Sequence, residues 1–274
     1  MSSPPFKPPA PPFEIGSFAR APKFPAVRFA SQKEFQNFLG TEQDRLDARY
    51  EYEQLKATRE AHIVQNGTCA PCLRPAVFTS GTEGGERLKD GRHVPNWRET
   101  MQCDCRDQLN NRQRAFLHFM QAMGVLPWAR LLLFGAPEAT DIRLAAMVSE
   151  IVTMRPFLAS KIVDDIHIAV SYDYLQYVPP LEAALAGLCA MLVEGGSFIF
   201  SVPFQHNAAS SELMNLASFA GQVPGEIRSK SHKFGWDLLA MLRDAGFRDA
   251  SAYLYWSEEL GYLGPANFIF RAVK

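Results

Sequence analysis

Nowhere does the chain hold the roughly 18 uninterrupted apolar residues that a membrane-spanning helix requires. Its opening, MSSPPFKPPAPP, has no apolar core of the signal-peptide kind. Charge of one sign is also missing: 28 Lys plus Arg stand against 29 Asp plus Glu, a formal net charge of −1. A protein held to nucleic acid by bulk electrostatics carries a basic surplus. Neither nucleic acid nor membrane is therefore expected as a partner, and residence in the cytoplasm is the expectation. Cysteine is scarce, five in 274 residues, too few for a disulfide scaffold. What is present, 47% apolar and 21% charged residues, suffices for a sizeable core and one to two domains.

Four of the five cysteines fall in two close pairs, Cys69/Cys72 and Cys103/Cys105. In a reducing compartment such pairs point to metal ligation more than to disulfides. A CxxC and a CxC supply four thiolates, enough to close a tetrahedral structural zinc site with no open position for water. His93, between the pairs, is a substitute ligand candidate. The plain alternative is four unligated thiols; a redox CxxC lacks a preceding thioredoxin-like strand. Cys189 stands alone in an apolar pattern and reads as a small core residue.

Four segments follow. Residues 1–25 are proline-rich, six prolines in the first twelve positions, and read as a disordered or polyproline tail with partner docking as the alternative. Residues 26–65 read as an N-terminal helix out to about residue 64, with Ser31 and Glu34 in the capping-box relation and a charge-laced surface suited to a scaffold or homo-oligomer contact. Residues 66–108 carry the cysteine pairs with little to form a core, so a metal is their natural staple. Residues 109–274 alternate strand and helix: RLLLFG, IHIAVS and SFIFSVPF read as strands, and DIRLAAMVSEIVTM, LEAALAGLCAMLV and FGWDLLAMLRDAGF as helices. That alternation implies an α/β fold with a mostly parallel sheet; SAYLYW and NFIFRAV imply an antiparallel C-terminal edge.

Asn96-Trp97-Arg98-Glu99, the CxC, and Leu109-Asn110-Asn111-Arg112-Gln113-Arg114 resemble a group of bacterial class I S-adenosylmethionine-dependent methyltransferases with a zinc-ribbon-like module before the catalytic domain. The resemblance continues through Tyr172–Pro179, Glu194-Gly195-Gly196, Ser201–Phe204, Phe234–Leu239 and Leu254–Gly264, and covers about residues 66–274. It implies a Rossmann-like domain with a donor pocket at the carboxyl ends of the first and fourth strands, around Gly135, Ala136, Tyr172 and Asp173. Members occur among sugar and lipopolysaccharide functions, so a saccharide or other small metabolite is the implied acceptor.

The chain departs from the pattern where the donor binds. Leu133–Thr140 keeps one glycine, and Pro137 removes a backbone donor. Only about thirty residues separate Phe134 from Ile166, room for one helix and one short strand instead of two βα units. Weak or absent S-adenosylmethionine binding is expected, which leaves a methyltransferase with an unusual donor loop, a methyltransferase-fold protein repurposed as a partner subunit or for other chemistry, and, third, a zinc-dependent interaction module that uses the proline-rich tail. Glu150 is a candidate for the ribose-binding acid, against a solvated helical glutamate. His206 and His232 are candidate general bases, against ordinary loop histidines. Asp173 lines the donor pocket or caps a helix. Tyr172, Tyr174, Tyr177 and Trp236 stack on a ligand or belong to the core. His167 reads as structural, and Arg112 and Arg114 as intramolecular partners of the cysteine segment.

Overall fold

The computed structural model describes residues 22–135, 139–154, 163–178, 180–215 and 230–274. Most of the proline-rich segment, Ala136, Pro137 and Pro179 lie outside the described residues. In chain order the elements are β1 (Ala26–Phe29), α1 (Gln32–Leu55), β2 (His62–Cys69), β3 (Arg74–Gly81), β4 (Glu86–Arg87), β5 (His93–Val94), α2 (Trp97–Thr100), β6 (Met101–Cys103), α3 (Asn111–Ala122) and β7 (Arg130–Phe134). There follow α4 (Asp141–Ala145), β8 (Glu150–Met154), β9 (Ile166–Tyr172), α5 (Leu181–Met191), β10 (Leu192–Ser201), β11 (Glu212–Asn215), β12 (Lys230–Lys233), α6 (Leu238–Asp244), β13 (Asp249–Ser257) and β14 (Tyr262–Val273).

The expected α/β fold is present. A seven-stranded sheet runs β1-β13-β14-β10-β9-β7-β8. Strands β8, β7, β9 and β10 are parallel, β14 is antiparallel to β10 and β13, and β1 closes the far edge antiparallel to β13. Side chains alternate across the pleat. Leu132, Phe134, Ala169, Phe198 and Phe200 enter one core with α5 and α6. Leu131, Leu133, Ile168, Val170 and Ile199 enter a second core with α3 and the cysteine segment. Helix α3 is thus covered by the sheet on one side and by β2, β3 and β6 on the other, which is why it is buried nearly all round. Asn110 and Gln113 close a reciprocal capping box at its start.

Three readings of local structure change. Helix α1 is capped by Ser31 as expected but stops at Leu55, and residues 62–69 form β2, whose backbone pairs along all of β3. The DIRLAAMVSEIVTM stretch is helical only through Ala145. Its β-branched Ile151, Val152 and Thr153 pair with the open edge of β7 instead, because a free parallel edge satisfies more backbone than another helical turn would. Helix α5 ends at Met191, and Glu194–Gly196 lies in the irregular start of β10, where pairing with β9 slips between Leu192 and Ser197.

The end of the proline-rich segment is docked. Phe24 is buried in edge contact with His118 and Phe119. The carbonyl of Pro22 meets His118 Nε2 at 2.6 Å. Burial lowers the His118 pKa, so the ring is neutral and bridges to the Tyr262 hydroxyl at 3.2 Å through Nδ1.

Candidate functional site

Two constellations carry chemistry, a sulfur cluster and the carboxyl ends of the parallel strands. The sulfur cluster is built by strand register. Strand β2 ends at Cys69, a tight 3-10 turn delivers Cys72, and Leu73 takes a left-handed conformation (φ 51°) to start β3. Strand β6 pairs beside β3 with Cys103 opposite Phe78. The Sγ atoms of Cys69, Cys72 and Cys103 lie within 4.8 Å of one another. Cys105 is also buried; its backbone N–H donates to Cys103 Sγ at 3.3 Å, and its thiol contacts those of Cys72 and Cys103. Hydrogen bonds from Cys103 and Cys105 hold Cys72 far below the ordinary thiol range, while the same contacts drive Cys103 up. His93 sits in β5, bridged to Thr58, and does not join the group.

Two cations face the sulfurs. Arg143 Nη2 approaches Cys72 Sγ at 3.8 Å while its Nε donates to Asp107 at 2.6 Å. Arg114, with no exposed surface, donates to the carbonyls of Leu260, Gly261 and Met101, and its guanidinium lies 4.1 Å from the Phe78 ring centroid. These bonds pin the β13–β14 turn to the cysteine segment. Thr68 N–H donates to the Glu259 carbonyl (2.8 Å) and Gln65 Nε2 to that of Glu258 (2.7 Å). Gly67 is required there, because a Cβ would overlap the Glu259 carbonyl oxygen. Arg112 and Arg114 are intramolecular partners, as their position after the CxC implied.

The second constellation is where the strand order reverses. From β7 the chain moves outward to β8, then returns to the other side as β9 and continues to β10. Open α/β sheets bind ligands at the carboxyl ends beside such a reversal. Here those ends are Phe134–Gly135, Met154, Tyr172–Asp173 and Ser201. Gly135 has φ +117°, and a Cβ on it would stand 2.7 Å from Cβ and Cγ of Tyr174. The open face of the glycine is therefore covered by a side chain of the chain itself. Tyr174 also packs edge-on to Phe134 at 5.3 Å.

Asp173, at φ +41°, hands its carboxylate to the cysteine segment. Arg98 Nη2 donates to both its oxygens (3.0 and 2.8 Å), and Arg112 Nε lies 3.7 Å away. Burial alone would raise the Asp173 pKa; Arg98 and Arg112 outweigh it and hold the carboxyl below its ordinary value. Glu99 completes the network through contacts to Arg98 and Arg112.

The remaining candidates scatter. Tyr172 points into the core, its ring 4.4 Å from that of Phe116. Trp236 packs against Phe35 and donates its Nε1–H to the His206 carbonyl (2.8 Å). His206 lines a groove with α1, and His232, stacked on Phe234, lines a different one with Tyr177 and Glu182. Burial lowers the pKa of both imidazoles. Glu150 opens β8, at the amino end of the sheet, paired to Arg130 at 2.9 Å; the strand presents Met154 at its carboxyl end, so Glu150 is not placed to hold a ribose. Arg98 escaped the sequence reading as a site residue, although it sits in a motif that carried the resemblance. Glu53 escaped it too: nothing local marks one buried acid in a charge-laced helix.

No family model matches this chain, and no curated protein matches it. Similar solved structures include an S-adenosylmethionine-dependent methyltransferase from Thermotoga maritima, described as a possible histamine N-methyltransferase, at 17% identity over 60% of this chain and 90% of that one, with a TM-score of 0.34. Another is the Burkholderia thailandensis 1,6-didemethyltoxoflavin-N1-methyltransferase with bound 1,6-didemethyltoxoflavin and S-adenosylhomocysteine, at 16% identity over 57% of this chain and 74% of that one, with a TM-score of 0.39. A third is a methyltransferase in complex with the Haloferax volcanii Trm112 activator, at 11% identity over 55% of this chain and 84% of that one, with a TM-score of 0.38. The α/β architecture described above is read from the strand order itself.

Proposed function

We propose that the chain is a methyltransferase-like protein whose donor cleft, at the carboxyl ends of β7 and β9, is remodelled so that it holds S-adenosylmethionine weakly. The observation that carries this reading is the contact of Tyr174 with Gly135. In the implied family, glycine at this turn lets the donor approach the backbone; here an aromatic ring takes that place. Met154 at the end of β8, and an Asp173 already bound by Arg98, remove two further polar contacts a donor would use. Losing one or two hydrogen bonds at about 1 kcal/mol each, with a steric penalty of similar size from the ring, lowers affinity by about two orders of magnitude.

The sulfur cluster is read as a structural zinc site held by Cys69, Cys72, Cys103 and Cys105. The donor set fits: a tetrahedron with Zn–S of about 2.3 Å has sulfurs roughly 3.8 Å apart, inside the 4.8 Å that spans Cys69, Cys72 and Cys103, with Cys105 beside them as the fourth thiol. Arg143 and Arg114 would balance part of the thiolate charge. All four sulfur positions are then filled, so the metal holds structure and takes no part in chemistry at the cleft.

Calorimetric titration with S-adenosylmethionine and S-adenosylhomocysteine tests the cleft. Undetectable or high-micromolar binding by the unaltered chain, with a gain in Tyr174→Ala, is the expected pattern. Low-micromolar binding without any substitution overturns it in favour of an active methyltransferase, the reading favoured by the reversal of strand order between β7 and β9.

A further inference from the structure

Away from both constellations, a cavity of about 210 Å³ lies between α1, the end of β13 and the start of β14. Its walls are largely apolar, with Phe35, Leu39, Leu254 and Ala266 among them. Into this wall is set a carboxylate. Glu53 is only 3% exposed. Its Oε1 accepts from Trp256 Nε1 and from the Gly264 backbone N–H, each at 2.7 Å. Among the described residues no hydrogen bond reaches Oε2. Burial raises the Glu53 pKa against those two donors and against Arg49.

The other charges lining the cavity are Asp47, which accepts from Gln43 Nε2 at 2.7 Å, and Arg49, stacked 5.0 Å over the Trp256 ring. His206 also faces it, with its pKa lowered by burial and so neutral near pH 7. The cavity therefore holds two acids against one cation, and the cation is already committed to an indole face. Among the described residues Oε2 is the carboxylate's unpaired oxygen, and in a largely apolar wall a cationic donor is the strongest partner that can reach it from the cavity.

We propose that this cavity is a binding site for an apolar amine, in which an ammonium group donates to Glu53 Oε2 and an aromatic or aliphatic body lies against Phe35, Leu39 and Leu254. A carboxylate ligand would add a third negative charge. A neutral donor could bond to Oε2 but would leave the carboxylate charge uncompensated. The site stands apart from the donor cleft, since the hydrogen bonds that hold Glu53 come from Trp256 and Gly264 and involve neither Gly135 nor Asp173.

The test titrates 2-phenylethylamine and 3-phenylpropionate separately into the full chain by calorimetry. Glu53→Gln is the informative variant, because its amide oxygen still accepts from Trp256 and Gly264 while the charge is gone. Saturable binding of one amine per chain, no binding of the carboxylate, and at least about a tenfold loss of amine affinity in Glu53→Gln with a melting temperature no lower than that of the unaltered chain is the expected result. No amine binding at millimolar concentration, equal binding of the two probes, or unchanged affinity in Glu53→Gln overturns it. If the variant does not fold, the comparison of the two probes on the unaltered chain decides alone.

Discussion

Arg98 and Asp173 lie 75 residues apart in the chain and 2.8 Å apart in space. The pair joins α2, inside the cysteine segment, to the end of β9 at the reversal of the sheet. Any change at the sulfur cluster that moves α2 is thereby felt at the candidate cleft.

Replacing Arg98 with alanine is expected to destabilise the protein by about 1–3 kcal/mol. The side chains are about a quarter exposed, 26% and 25%, so the pair lies between a surface bridge and a buried one. Denaturant unfolding measures the loss. Because the folded pKa of Asp173 lies below its unfolded value near 4, its contribution is full above about pH 4 and disappears as pH falls through the folded value. Asp173→Asn should be less stable at pH 7 and should show a shallower fall in melting temperature as the pH drops below about 4.

Purified protein should contain about one zinc per chain by elemental analysis. Cys69→Ser should lose it and melt at a lower temperature, because metal binding in such a segment is also folding energy. Cys189→Ser is the control: its sulfur lies buried in the other core, beside Gly246, and metal content should not change. Metal-free protein that melts unchanged would remove the zinc reading.

Gly135→Ala should cost about 2–4 kcal/mol, from a left-handed backbone position and the overlap with Tyr174. Combining it with Tyr174→Ala should recover part of that cost. A double-mutant cycle with a coupling near zero would mean that the ring and the glycine do not constrain one another.

Glu53→Gln should raise the melting temperature at pH 7–8. The folded pKa of Glu53 lies above its unfolded value near 4.3, so the buried charge destabilises the fold above the folded pKa and costs nothing below about pH 4. The advantage of the variant should therefore vanish in acid. A melting temperature lowered at pH 8 would show that the charge strengthens the bonds from Trp256 and Gly264 by more than burial penalises it.

The sequence by itself determined the alternation of strands and helices, the antiparallel final pair, the Ser31 cap and the close pairing of the cysteines. Each rests on local periodicity, local cap chemistry or close spacing, which act over a few residues. It also determined that only one strand fits between β7 and β9, since chain length limits what a crossover can hold. What it could not determine depends on neighbours distant in sequence. Ile151–Thr153 became a strand only because β7 offered an edge. Tyr174 meets Gly135 only because β9 returns beside β7. Asp173 pairs with Arg98 only because the cysteine segment folds over α3. Glu53 is buried only because Trp256 and Gly264 arrive from the far end of the chain. Hydrogen bonds and desolvation at those points are set by tertiary contact, and no local pattern encodes them.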